Sequence, residues 1–343
     1  MSPISRRKFI PLVGTAIVGA AALSLSNKKK DAILSPSPTL PKRLKKGDTI
    51  GIAASAGPIR DQKEVQEFQE VLHQLGYKTK LGKNVFGKEG YFSAKDEDRA
   101  NEFMELIQDE AVNGIFFIRG GWGCARILDM LDYGVIAQNP KVIMGFSDIT
   151  ALLNAITLNT GLVTFHGPGG NSTWNDYSIN YISRLLQQGE KVVYRNTSND
   201  KTIKTYTSGK SEGTFYGGNL SVICGMVGSK YLPDWYGKIL FLEDVGEEPY
   251  RIDRMLTQLK LAGVFNQISG LVLGNFRKCV PEEPDRSFTL EEVFQQHFSG
   301  MTFPVFYGAQ IGHVRNKFTV PVGINVAIDA DTGTIEMLES GVE

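Results

Sequence analysis

The stretch "KVIMGFSDITALLNAI", Lys141–Ile156, decides how this chain reads. An apolar run, Val142 to Met144, halts at Gly145, and a helix-like pattern starts within a few residues. A buried strand turning sharply into a helix is the repeating unit of an open parallel sheet. The same turn carries Ser147, and a sharp strand-to-helix turn exposes its side chain beside the following backbone N–H.

The same rhythm runs outward on both sides. Thr49 to Ala54 is a short apolar run ending in a Ser-Ala-Gly-Pro turn. Val65, Phe68, Val71, Leu72 and Leu75 then recur at helical spacing, with Gly76 as the stop. "DEDRANEFMELIQDEAV" predicts a second helix, with Phe103, Leu106 and Ile107 on one face. Ile115 to Ile118 is a strand that opens into Arg119-Gly120-Gly121-Trp122-Gly123, and "CARILDMLDYGVIAQN" after it is helical. Such alternation predicts an α/β fold, a mostly parallel, flavodoxin- or Rossmann-like sheet flanked by helices over residues 45–168. Residues 169–210 are polar and break the rhythm, which marks a crossing between domains. Residues 211–341 are short apolar runs bounded by glycine, with one helix from Arg251 to Leu261, and predict a smaller β-rich second domain.

Residues 1–26 read as an export signal rather than as part of the fold. Arg6 and Arg7 precede an apolar stretch from Phe9 to Leu25, and Ser24 and Ser26 offer a cleavage site. The Ser-Arg-Arg-Lys-Phe-Ile segment resembles a twin-arginine signal, which implies a periplasmic protein; the alternative is an N-terminal membrane anchor that stays attached. Residues 27–44, rich in serine and proline, read as an extended tether.

The 37 lysines and arginines balance 37 aspartates and glutamates. That balance argues against a nucleic-acid partner, whose binding rests on phosphate neutralisation. Cys124, Cys224 and Cys279 lie far apart with no Cys-x-x-Cys pair, and the four histidines show no His-x-x-x-His spacing. Neither a zinc ribbon nor a thioredoxin-type site is indicated, and no metal or cofactor is expected.

Sites in parallel sheets form at the carboxyl ends of the strands. Two loops there carry chemistry: the glycine loop at Gly120 and Gly121, and the turn at Ser147 and Asp148. A serine becomes a nucleophile when a base takes its proton and backbone donors hold the developing oxyanion. The pattern departs from the full Gly-x-Ser-x-Gly elbow, because Ile149 replaces the second glycine. Ser147 also reads as a helix N-cap, and the glycine loop lacks the third glycine of a dinucleotide fingerprint. His166 and His313 are the candidate bases, whereas His73 reads as solvated and His297 as a packed helix end. Glu243 and Asp244 follow the apolar run Ile239 to Leu242, where a carboxylate can orient a histidine or instead pair with Arg251 or Arg254. Spacing alone leaves the base and the acid open.

Taken together, "IRGGWGCARILDMLD", "KVIMGFSDITALLNAI", "GGNLSVICGMVGS", "ILFLEDVGEEPYRIDRMLTQL" and "GHVRNKFTVPVG" resemble the LD-carboxypeptidase family, in the family's order from about Lys42 to Leu338. The resemblance implies a Ser147–His313–Glu243 triad, with an oxyanion hole at Asp148 and Gly121, or Gly120. It implies cleavage between the L-centre of a dibasic residue and a terminal D-alanine in peptidoglycan tetrapeptides, in a homodimer that needs no metal. A terminal carboxylate also needs a cation, and Arg119, Arg315 and Lys317 are the candidates, with a structural ion pair that holds the glycine loop as the alternative role of Arg119. Gly120 and Trp122 would line the substrate path, Trp122 by stacking on a sugar or peptide or by closing the loop. Cys124 beside this loop is either a reactive thiol or a small packed residue. Two other functions fit the same residues: an immunity peptidase cutting a peptidyl-nucleotide amide, and an exported protein that binds muropeptide without cutting it.

Overall fold

Strand and helix alternate from the start of the computed structural model, which describes residues 38–196 and 202–343. The expected export signal and the tether up to residue 37 lie outside the described residues. The first sheet begins with β1 (Thr49–Ala53), β2 (Lys78–Leu81), β3 (Gly114–Phe117), β4 (Val142–Gly145) and β5 (Thr164–His166), all parallel, in the spatial order 2-1-3-4-5. That is the flavodoxin-like order, in which ligands sit beyond the carboxyl strand ends. Its helices are α1 (Gln62–Gln74), α2 (Asp96–Gln108), α3 (Tyr133–Gln138) and α4 (Thr150–Thr160). Strands β3 and β4 are buried throughout and α4 is buried along most of its length, as expected of elements covered on both sides.

The second sheet has eight strands: β6 (Val193–Tyr194), β7 (Lys204–Thr207), β8 (Lys210–Asn219), β9 (Ile239–Val245), β10 (Gly270–Arg277), β11 (Val305–Tyr307) and two more described below. Its central strands β8, β9, β10 and β11 run parallel, and β7 closes one edge antiparallel. Helices α6 (Leu220–Met226), α7 (Pro249–Leu261) and α8 (Leu290–Phe298) belong to this half, and α5 (Asp176–Ile182) precedes it. One strand late in the chain, β12 (Val320–Val322), leaves the second sheet and pairs antiparallel with β5 at the edge of the first. The chain then returns as β13 (Asn325–Asp329) and β14 (Thr334–Met337). The loop carrying His313 therefore runs from β11 of one sheet to β12 of the other.

Four local expectations need correction. Residues 124–139 form a tight 3-10 turn, Cys124–Met130, followed by α3 rather than one helix, because Asp132 caps α3 by accepting from Val135 N–H. The last part of the expected tether is packed: Thr39 pairs with Leu162, Leu44 is buried, and the Arg43 N–H donates to the carbonyl of Glu343. The expected crossing over 169–210 contains α5 and a wider turn, Ser183–Gln187, that bury Tyr181, Ile182, Leu185 and Leu186. The apolar run at Ile239 extends as β9 to Val245, so Glu243 and Asp244 lie inside the strand rather than beyond it.

Candidate active site

Strands β3 and β4 are neighbours, so the glycine loop and the Ser147 turn emerge side by side. Phe146 is extended, and Ser147 then adopts φ 62° before a single 3-10 turn leads into α4. A non-glycine residue in this left-handed region costs roughly 1–2 kcal/mol. The surroundings must hold it there, and such strain gathers at functional sites. Ser147 makes no capping hydrogen bond to either helical turn, which removes the N-cap reading. Gly120 packs against it so closely that a Cβ there would lie 2.9 Å from Ser147 Cβ and 3.3 Å from the Asp148 nitrogen. Any side chain there would have to displace the serine or the glycine loop.

The buried Asp148 carboxylate accepts from the Cys124 N–H at 2.8 Å and so ties the serine turn to the end of the glycine loop. Burial pushes this carboxyl up, and the N–H groups of Cys124 and Gly123 oppose the rise. Arg99 anchors the same region. It is fully buried, its guanidinium bonds the carbonyls of Ser55 and Gly123 and pairs with Asp96, and it stacks on Phe92. Burial raises the Cys124 thiol well above its ordinary value, and its Sγ touches the Ser55 carbonyl. Cys124 is thus a small packed residue.

Across from Ser147, the fully buried Glu243 accepts from or shares a proton with His313, Nδ1 to Oε2 at 2.6 Å. Gly312 permits this approach: at φ 100° it sits where a Cβ would come within 2.3 Å of the Glu243 oxygen. The other Glu243 oxygen accepts from Asn219 Nδ2 at 3.3 Å. Burial pushes the Glu243 carboxyl up. The bond to His313, the two nearby imidazoles and Asn219 outweigh it and hold the carboxyl below its usual range. The neighbouring Asp244 is pushed up to about 6, by burial first and then by the Glu243 charge. Its oxygens accept from Asn219, Ser221 N–H and Val245 N–H, so it organises the turn rather than facing the cavity.

The Phe146 ring lies 4.9 Å from the His313 ring, so the residue before the serine buttresses the imidazole. Ser147 and His313 line one cavity of about 1010 Å³. No hydrogen bond joins them among the described residues; such bonds are often loose without substrate and tighten on binding. Arg60, Arg119, Arg277, Arg315 and Lys317 also line this cavity, and among the described residues no carboxylate does. A cleft lined by one sign of charge concentrates the opposite ion, so the cavity suits an anionic ligand.

The remaining candidates separate clearly. Gly120 and Gly121 line the cavity with Ser147. Trp122 is half exposed and lines an adjoining cavity of about 670 Å³ with Tyr91 and Lys88, sharing Arg60, Arg119 and Gly121 with the first. His166 is buried behind Glu243, its Nε2 3.9 Å from the Glu243 oxygen and without a hydrogen-bond partner among the described residues. His73 bonds Thr79 and His297 bonds Asp253, both away from the cavity. Sequence reasoning missed Asn219 and Arg99. Asn219 caps α6 by accepting from Val222 N–H, a role that the Gly-Gly-Asn before an apolar run does signal. Its second task, holding both acids, had no local trace.

A family model described as the LD-carboxypeptidase N-terminal domain matches residues 50–167, and one described as the C-terminal domain matches residues 212–328. A probable murein peptide carboxypeptidase of Bacillus subtilis is 36% identical over 307 residues, spanning 88% of this chain and 95% of its own length. The microcin C7 self-immunity protein MccF of Escherichia coli is 32% identical over 341 residues, spanning 88% of this chain and 96% of its own. A solved structure of MccF in complex with glutamyl sulfamoyl guanosine matches with TM-score 0.81 at 29% identity, over 89% of this chain and all of that one. With both domain models met in order and these relatives spanned almost end to end, the chain belongs to the LD-carboxypeptidase family.

Proposed function

We propose that this chain is a serine-type LD-carboxypeptidase that removes the terminal D-alanine from murein tetrapeptides. The observation that carries the reading is the Glu243–His313 pair and the strained Ser147 turn meeting at one cavity whose charged lining residues, among those described, are lysine and arginine. The Ser147 hydroxyl attacks the carbonyl preceding D-alanine while His313 Nε2 takes its proton. The N–H groups of Asp148 and of Gly121 or Gly120 hold the oxyanion; one such donor is typically worth about 3–4 kcal/mol. Glu243 fixes the tautomer and stabilises the imidazolium. His313 then protonates the departing nitrogen, D-alanine leaves, and water releases the tripeptide from Ser147 by the same steps in reverse.

Incubating the protein with disaccharide tetrapeptide and following products by mass spectrometry tests this. Tripeptide plus D-alanine in equal amounts is the expected outcome, and an intact tetrapeptide contradicts it. Binding of that intact peptide would instead favour a non-catalytic carrier. The likeness to MccF, with exposed Trp122 and Tyr91 beside Lys88 and Arg60, supports a second reading, cleavage of a peptidyl-nucleotide amide. An aminoacyl sulfamoyl nucleoside in the same assay distinguishes it. The proposal includes export to the periplasm through the Arg6-Arg7 segment and assembly as a homodimer, checked by cell fractionation and by light scattering.

A further inference from the structure

Five cations line the cavity, and one of them differs from the rest. Arg60, Arg277 and Arg315 are exposed, and Arg119 is half buried with one nitrogen already on the Pro58 carbonyl. Lys317 is only 4% exposed. Its ammonium lies 4.1 Å from the centre of the Phe146 ring and donates to Ser172 Oγ at 3.2 Å. No carboxylate pairs with it among the described residues. Its own backbone N–H is fixed on Ser178 Oγ, so the side chain is held from both ends.

An ammonium has three donors, and burying it without a full set of partners is costly. Burial lowers Lys317 to about 8, with the Glu243 charge opposing and that of Arg277 adding to the fall. Ser172 is prepared in a complementary way. Its oxygen accepts from Lys317 and from the Gly169 N–H at 3.1 Å, which uses its lone pairs and leaves its own proton to donate. An ammonium and a hydroxyl proton facing one cavity match a carboxylate. Attraction at this depth exceeds that of the exposed arginines, because less water screens it.

We infer that Lys317 and Ser172 bind the carboxylate at the C-terminus of the substrate, and thereby confine cleavage to a terminal residue. The inference rests on the carboxypeptidase reading above. Phe146 immediately precedes Ser147, and Lys317, Ser172 and the serine line the same cavity. In a peptide ending in D-alanine, the terminal carboxylate is two bonds from the nitrogen that leaves.

Binding to the Ser147→Ala variant tests this apart from turnover. The probes are tetrapeptide with a free C-terminus and the same peptide ending in D-alaninamide, measured by calorimetry. The free acid is expected to bind roughly thirtyfold tighter or more, the usual effect of losing one partner of a buried charge pair. Adding Lys317→Met should erase that preference by weakening the acid alone. Adding Ser172→Ala, which leaves the ammonium in position, should reduce it partly and serves if the methionine variant does not fold. Equal binding of acid and amide, or a preference that survives both substitutions, overturns the inference. Cleavage of tetrapeptide by the unmodified protein without such a preference would leave the proposed function standing and remove only this pocket.

Discussion

Glu243 and His313 are 70 residues apart in the chain and 2.6 Å apart in space. The imidazole reaches into the cavity, whereas the carboxylate is fully buried and does not line it. Glu243 therefore acts on substrate only through His313. Glu243→Gln should lower kcat on tetrapeptide by roughly ten-thousand-fold, as loss of the orienting acid does in such triads, with little change in KM. A kcat within tenfold of the parent would remove Glu243 from the mechanism.

The backbone at Ser147 offers a test independent of chemistry. Both Ser147→Ala and Ser147→Gly lose the hydroxyl, but only glycine occupies φ 62° without strain. The glycine variant should be more stable than the alanine variant by roughly 1 kcal/mol in denaturant unfolding. Equal stability, or a more stable alanine variant, would mean that the turn relaxes and stores no strain.

Gly120 touches Ser147 from the opposite loop. A methyl group there meets the serine Cβ at 2.9 Å and its Oγ at 3.0 Å, so either the hydroxyl or the glycine loop must move. Gly120→Ala should fold normally and lose about a hundredfold in kcat, the scale of one displaced oxyanion donor. Parental kcat in this variant would show that the close contact has no part in the reaction.

Much of this was written in local sequence, and the rest was not for a physical reason. The turn at Ser147 and the alternation around it depend on neighbours within a few residues, so the parallel sheet was readable directly. So was the carboxylate at Glu243, although its strand runs further than its apolar residues, since a buried strand accommodates an acid only when distant groups compensate it. Those groups, Asn219 and His313, arrive from β8 and from the loop between the two sheets. Sequence spacing carries no record of such meetings. Arg99 stands in an acidic helix, yet it is fully buried because two loops present the carbonyls of Ser55 and Gly123 to it and Asp96, at the start of its own helix, adds a carboxylate. Lys317 was one of three equivalent cations until burial separated it from Arg119 and Arg315.

His166 gives the fold a pH dependence with a definite sign. Burial lowers its imidazole from 6.5 to about 4; the Glu243 charge opposes this, and His313 and Lys317 reinforce it. Between those values the unfolded chain binds a proton that the folded chain does not. This contribution to stability is complete above pH 6.5 and is eroded as the pH falls towards 4, at about 1.4 kcal/mol per unit. His166→Asn should flatten the unfolding free energy across this window relative to the parent. An identical slope in the two proteins would show that His166 is protonated in the folded state.

The most direct measurement is the rate of D-alanine release from disaccharide tetrapeptide by the parent and by Ser147→Ala, with circular dichroism confirming that both are folded. The account predicts stoichiometric D-alanine and tripeptide from the parent and no detectable release from the variant. Undiminished release by folded Ser147→Ala would contradict it.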